Sequence, residues 1–220
     1  MTDSGPGNKP CRFRPRRIVV LSETTFIPTK EDPMGKITVA EFVSLDGVME
    51  DPGGAEGYKH GGWTFKYPDD EGMKFKFDEL VEHDAQLLGR VTYDGFSKAW
   101  PDMKDDAGFA DKMNSMPKYV VSTTLTDPSW NNTTVLPGID AVAELKQREG
   151  DILVAGSAQL HQGLVERGLV DEWRLMVFPI VLGSGKRLFG DAADATGLEL
   201  VDSRQLASGS LYLTYRKAAA

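Results

Sequence analysis

The sequence predicts one α/β domain, running from Met34 to the C-terminal end on a largely parallel sheet with an antiparallel edge. Three observations carry this. Short β-branched or apolar runs alternate with stretches of helical spacing, the pattern of strands that return through crossover helices. At Gly89-Arg90 and again at Gly156-Ser157 a strand stops at a glycine and opens directly into a helix. Past Gly197 the helical spacing ends, and two strand-like runs flank Ala207-Ser208-Gly209 as the arms of a hairpin do.

Taken in order, Lys36 to Phe42 (KITVAEF) is β-branched and partly alternating, a first strand that runs into the Asp46-Gly47 turn. The loop from Glu50 to Gly62 is rich in glycine and acid, the composition of a lid or a binding loop. Trp63, Phe65 and Tyr67 alternate. They suit a short strand, an aromatic wall over a planar ligand, or equally the packing of the lid onto the core. Pro68 to Glu71 is a helix start with acids in its first turn, and Met73, Phe77, Leu80 and Val81 follow at the spacing of one apolar face. Asp84 to Gly89 returns as a buried strand, and a helix follows to about Trp100. Pro101 to Pro117 is a polar connection with room for a short helix. Lys118 to Thr123 and Thr133 to Leu136 are strands, and Gly138 to Arg148 is a helix with Ile139, Val142 and Leu145 inward. Strand 151–155 and helix 157–167 come next. Asp171 to Ile180 is a long strand, Val181 to Gly190 a glycine-rich loop, and Leu198 to Leu206 with Ser210 to Tyr215 the hairpin. Eight strands result.

Composition bounds the function. At 40% hydrophobic and 26% charged residues the chain is an ordinary globular protein, with no apolar run long enough for a membrane helix. A net charge of −8 argues against a general nucleic-acid or anionic-membrane binder, which needs a basic surface. The single cysteine, Cys11, rules out an intrachain disulfide and fits a reducing cytoplasm. His60, His83 and His161 have no metal-ligand spacing, so no metal is expected. Residues 1–33 differ from the rest: 6 Lys/Arg against 4 Asp/Glu, and 5 of the 12 prolines. They read as a disordered or non-native extension. Lys30-Glu31-Asp32 can be encoded by a purine-rich run like a bacterial ribosome-binding site, so Met34 is the expected natural start and residues 1–33 a translated leader.

The two strand–glycine–helix junctions carry the first functional argument. The free N–H groups of a helix's first turn point outward, and its dipole favours negative charge, so such a turn holds a phosphate. At the first junction Arg90 adds a planar cation able to take a phosphate bidentately, or simply to form a surface ion pair.

Three stretches then carry a resemblance: EFVSLDGVME at 41–50; LLGRVTYDGF at 87–96 with KYVVSTTL at 118–125; and ILVAGSAQLHQGLVERGLVDEWRLMVFPIVLGSGKRLF at 152–189. In this order and spacing the chain from Met34 to about Lys217 resembles the dihydrofolate-reductase-like superfamily. Within it the chain is most similar to stand-alone relatives of the C-terminal reductase domain of the bifunctional riboflavin-biosynthesis deaminase/reductase. The resemblance implies a three-layer α/β/α fold on a mixed, mostly parallel eight-stranded sheet, binding NADPH across its C-terminal edge. It places Gly89, Arg90 and Thr92 at the cofactor phosphates, with Arg90 reading the 2′-phosphate, and Ser122 and Thr123 near the adenosine half. Gly156, Ser157, Ala158 and Leu160 would line the pyrophosphate turn, and Val43 to Glu50 would cover the nicotinamide. Many dihydrofolate reductases have a Gly-Gly pair with a cis peptide in this turn; Gly156-Ser157 departs from it.

For the catalytic carboxylate the resemblance offers Asp46, in the SLDG turn, and the acids at the start of the first helix, Asp69, Asp70 and Glu71. Asp46 reads equally as the aspartate of an Asp-Gly turn, and the helix acids read as N-capping. The implied activity is NADPH-dependent hydride transfer to a small planar heterocycle, pteridine-like or aminopyrimidine, related to the riboflavin-pathway 5-amino-6-(5-phosphoribosylamino)uracil reductase reaction. A carboxylate of raised pKa in a half-closed site would supply the proton. The competing class is a nucleotide or flavin-like ligand-binding protein of the same fold without turnover. Family relatives are often homodimers, for which the apolar strand Trp173 to Ile180 and the hairpin are the available surfaces.

Overall fold

The computed structural model describes residues 35–190 and 195–218. The expectations for residues 1–33 lie outside the described residues. The described chain runs β1 (Ile37–Ser44), a 3-10 turn (Trp63–Lys66), α1 (Asp70–Glu82), β2 (Ala85–Gly89), α2 (Arg90–Ala99), α3 (Phe109–Ser115), β3 (Lys118–Val121), β4 (Thr133–Leu136), α4 (Ala141–Arg148), β5 (Ile152–Val154), α5 (Ala158–Glu166), β6 (Glu172–Phe178), β7 (Leu198–Gln205) and β8 (Leu211–Lys217).

All eight strands join one sheet in the order β4-β3-β2-β5-β1-β6-β8-β7. From β4 to β6 every pairing is parallel; β8 runs antiparallel to β6, and β7 to β8. Parallel strands need crossovers, and the helices supply them on both faces. Alternate residues of one strand therefore enter different layers. Ile37, Val39, Leu87, Ile152 and Val154 pack with Val142, Leu145, Leu160 and Leu164 of α4 and α5. Ala40, Leu88, Val120 and Leu153 pack with Leu80, Tyr93 and Met113 of α1, α2 and α3. A third apolar group, Val48, Trp63, Met176, Phe178, Leu182, Leu206 and Tyr212, gathers the loops over β6 and β8.

Four details differ from expectation. Trp63 to Lys66 forms a 3-10 turn, and Trp63 is fully buried edge-on against Phe178 with its indole N–H donated to Glu50 O, so this residue packs the lid onto the core. The apolar stripe expected on α1 faces inward only in part: Leu80 is buried and Phe77 half-buried, but Met73 is 57% and Val81 51% exposed, while Gly72 and Glu79 are buried. The inner side of α1 is partly charged because it carries Lys76 and Glu79 over Phe42 and Tyr212, a polar interior that hydrophobic spacing cannot announce. Helix α4 begins at Ala141, three residues later than its spacing suggests, after a turn at Gly138–Asp140. Finally β6 ends at Phe178, two residues short of the expected Ile180, and lies inside the sheet between β1 and β8, with β4 at one sheet edge and β7 at the other.

Candidate functional site

The C-terminal ends of β1, β2, β3, β5 and β6 lie along one edge of the sheet, and the loops leaving them hold nearly every residue singled out above. In open α/β sheets this edge is where ligands bind.

The two junctions touch. Gly89 caps α2 and Ser157 caps α5; neither helix start has a side-chain cap hydrogen bond, which leaves first-turn N–H groups available. A Cβ on Gly89 would lie 1.8 Å from Ser157 Oγ, and one on Gly156 would lie 2.9 Å from Thr92 Cγ2 and Oγ1. Glycine at both places is what lets the helix starts stand side by side. Gly156 and Ser157 both have positive φ, 81° and 76°. Ser157 holds a left-handed conformation that costs a non-glycine residue of order 1 kcal/mol or more, and such strain gathers at ligand sites. No peptide bond among the described residues is cis.

Arg90 lies at the start of α2 with its Nε 2.9 Å from both Asp94 carboxylate oxygens, and its Nη1 donates to Thr124 Oγ1 at 3.2 Å. The ion pair and the approach to the β3 end thus coexist. Ser122 Oγ accepts the N–H groups of Thr124 and Leu125, shaping the turn beyond β3; Thr123 is exposed beside it. Thr92 is buried against Gly156. Ala158 and Leu160 are core residues, so only their backbone is open to a ligand at this turn. The structure therefore gathers Gly89, Arg90, Thr92, Gly156 and Ser157 around one point, with Ser122 and Thr124 beside Arg90.

The carboxylates sort differently. Asp46 accepts hydrogen bonds from Ser44 Oγ (2.7 Å), Leu182 N (3.0 Å) and Gly183 N (2.8 Å), while Arg187 donates to its backbone oxygen. Burial opposes ionisation of Asp46, but those hydrogen bonds outweigh it and bring the carboxyl down to about 2. It is a clamp on the 181–187 loop and not a carboxyl of raised pKa. Asp69 is the N-cap of α1, accepting Gly72 N and also Ser208 N, each at 2.9 Å. Asp70 and Glu71 are exposed on the first turn of α1. The N-capping reading holds for Asp69, and none of the sequence-chosen acids is buried at the edge.

The buried acid there is Glu41 of β1, 5% exposed, whose Oε1 accepts the N–H of Gly156 at 2.8 Å. Burial pushes its carboxyl up, against Lys76 and the Gly156 N–H and with Glu79, to about 8. Lys76 is committed elsewhere: its Nζ is 2.5 Å from Glu79 Oε2 and 5.0 Å from the Phe42 ring centroid. Sequence reading passed over Glu41 because one acid in an alternating strand looks like a solvent-facing residue. The available signal was its neighbours: Val39, Ala40, Phe42 and Val43 leave no polar face for it to belong to.

Two loops close over this edge. Met49 N donates to Lys186 O, Lys186 N donates to Glu50 Oε2 at 2.9 Å, and the Tyr58 hydroxyl donates to Ser184 O. Asp51, 3% exposed, accepts Glu56 N and Tyr58 N and so organises the lid loop internally. His161 of α5 anchors the far side of the 181–190 loop. Its Nε2 accepts Trp173 Nε1 at 3.0 Å, so its Nδ1 donates to Leu188 O at 2.9 Å. Burial pushes this imidazole down to about 4, keeping it neutral.

An eight-stranded, mostly parallel sheet that joins two uncapped helix starts at its C-terminal edge defines an α/β protein of dihydrofolate-reductase-like fold. The chain belongs to the RibD C-terminal domain family, which it matches over residues 35–212. It is 33% identical over 178 residues to YyaP of Bacillus subtilis (strain 168), an uncharacterised protein, covering 79% of this chain and 90% of that one. Among solved structures it is similar to a Shewanella sp. PV-4 protein provisionally assigned to riboflavin biosynthesis, with a TM-score of 0.67 and 24% identity over 84% of this chain and 99% of that one. It also shares its fold with dihydrofolate reductase from Enterococcus faecalis complexed with NADP(H) and RAB-propyl: TM-score 0.58, 13% identity, 84% of this chain and 98% of that one.

Proposed function

We propose that this protein is an NADPH-dependent reductase that transfers a hydride to a small planar heterocycle, pteridine-like or aminopyrimidine, in chemistry related to the riboflavin-pathway uracil reductase reaction. The observation that carries the reading is the abutment of the two junctions, Gly89 against Ser157 and Gly156 against Thr92. Two positive helix ends side by side suit one dinucleotide pyrophosphate better than two separate anions. The residues present fit NADPH: first-turn N–H groups of α2 and α5 for the pyrophosphate, and Arg90 with Ser122 and Thr124 for the phosphate of the adenosine half. NADPH would supply the hydride; the chain's own residues orient, exclude water and hold the proton. Asp46 holds the 181–187 loop beside this edge, and the lid from Glu50 to Gly62 is tied to the same loop through Glu50 and Tyr58.

Titration of the purified protein with NADPH, followed by cofactor fluorescence, tests this. Saturable binding is expected, tighter for NADPH than for NADH, with that preference reduced in Arg90→Gln. Absence of binding at high micromolar NADPH would end the reading. Saturable binding with no oxidation across a panel of pteridines and aminopyrimidines would instead favour ligand binding without turnover. A homodimer, if formed, would use β7 and its hairpin partner, where Leu200 is 50% and Val201 46% exposed; sedimentation analysis reads it directly. The single cysteine accords with a cytoplasmic protein, and no helix among the described residues is long and apolar enough to cross a membrane.

A further inference from the structure

One buried group at the edge has no structural partner for its proton. Glu41 receives a single N–H, from Gly156, and no cation in contact, because Lys76 is paired with Glu79. A carboxyl enclosed to this degree, with one donor and no ion pair, is held in its neutral form. Its other oxygen, Oε2, then has a hydroxyl to give, and no side chain or backbone group among the described residues accepts it. Nor is Oε2 among the atoms sealed from solvent without a partner, as Gln86 Oε1 and Ser210 Oγ are. It keeps an opening. Glu41 stands beside the Gly156–Ser157 turn and two residues before Val43 to Glu50, the segment that the dinucleotide reading puts over the nicotinamide.

We infer that Glu41 is the proton donor of this site: it stands neutral beside the Gly156 turn and gives its proton to the heterocycle as the hydride arrives. The inference rests on the reductase reading. In the step, a hydride leaves the nicotinamide of NADPH and forms a C–H bond at the carbon of a C=N or C=O group. The π pair of that bond moves to the nitrogen or oxygen, which takes the Glu41 proton. NADP⁺ and the Glu41 carboxylate remain, and solvent returns the proton. Burial helps twice, since it keeps the acid loaded at neutral pH and makes the spent carboxylate a poor resting state, so that reloading is favoured. The same placement favours acceptors with a basic nitrogen or a carbonyl next to the reducible carbon, as aminopyrimidines and dihydropterins have.

The test has two arms. Infrared spectroscopy of the wild-type protein without ligand should show a protonated carboxyl band that titrates near the value of about 8 held by Glu41 and is missing in Glu41→Gln. This arm needs no acceptor and, through the wild type, no folded variant; absence of a protonated carboxyl at neutral pH would overturn the inference. In the second arm NADPH binding and NADPH oxidation with dihydrobiopterin or dihydrofolate are measured for both proteins. Glu41→Gln should bind NADPH within about threefold of wild type and oxidise it at least ~100-fold more slowly, the size of a lost general acid. Oxidation at the wild-type rate overturns the donor role. Loss of NADPH affinity overturns it too, in favour of a residue that only positions the Gly156 turn. If wild type fails to bind NADPH, the reductase reading falls and the donor role with it, whereas an intact infrared band still fixes Glu41 as a buried neutral acid.

Discussion

Replacing Glu41 with Gln should make the protein's stability less dependent on pH, with a sign that is fixed in advance. The ordinary carboxyl value is 4.5, and in the folded protein Glu41 sits at about 8. Between those values the folded protein binds one more proton than the unfolded chain, so stability is fully present below 4.5 and is lost as pH rises toward 8. At 1.36 kcal/mol per pH unit the whole loss is about 5 kcal/mol, a large share of the ~5–15 kcal/mol that holds a typical domain folded. Glutamine keeps an oxygen for the Gly156 N–H but brings an amide NH₂ with no acceptor, a cost of roughly 1–3 kcal/mol at every pH. The two stability curves should therefore cross. Near pH ~5 the wild type is the more stable protein, and near pH ~9 the Gln variant is, by roughly 2–4 kcal/mol. Urea unfolding at a series of pH values measures both curves with one method. A variant that differs from wild type by a constant amount across this range would refute the argument, because it would mean that Glu41 keeps the same charge folded and unfolded.

Other predictions concern the geometry around it. Gly89→Ala should be strongly destabilising, since its methyl would meet Ser157 Oγ at 1.8 Å and Cβ at 2.6 Å; Ser157→Gly should restore much of the loss and, alone, raise the melting temperature by relieving a left-handed serine. Additive losses in a double-mutant cycle of that pair would show that the junctions do not touch. His161 should resist protonation down to about 4, so its contribution, complete above 6.5, drains away as pH falls from 6.5 to 4. That loss is about 3 kcal/mol, and imidazole nitrogen shifts by NMR should report the Nδ1–H form throughout neutral pH. Asp46→Ala should free the 181–187 loop, raising hydrogen exchange at Leu182 and Gly183 roughly 10-fold or more, in keeping with the loss of hydrogen bonds to a charged acceptor.

Strand and helix order was legible because it is local. Strand boundaries at Lys118 and Thr133, and the hairpin at Ala207–Gly209, matched the β-branched runs and turn residues that mark them. The junctions at Gly89 and Gly156 were legible for the same reason, since a glycine between a strand and a helix announces a tight turn whatever surrounds it. The inner face of α1 was not. Hydrophobic spacing pointed to Met73 and Val81, and the structure turned Lys76 and Glu79 inward instead, because their partners Phe42 and Tyr212 come from β1 and β8.

The acid of the site shows the division most clearly. By itself the sequence determined that two glycine turns open helices at strand ends, and that acids cluster at Asp46 and at Asp69 to Glu71. Which carboxyl is buried and free to hold a proton was decided only by tertiary structure. Asp46 was consumed by the N–H groups of Leu182 and Gly183, more than a hundred residues away in sequence. Glu41 has β6 paired on one side and the turn beyond β5 on the other, and its one donor, Gly156, lies 115 residues further on. Charge state follows from solvent and neighbours, and a strand in the middle of a sheet acquires both from segments remote in the chain.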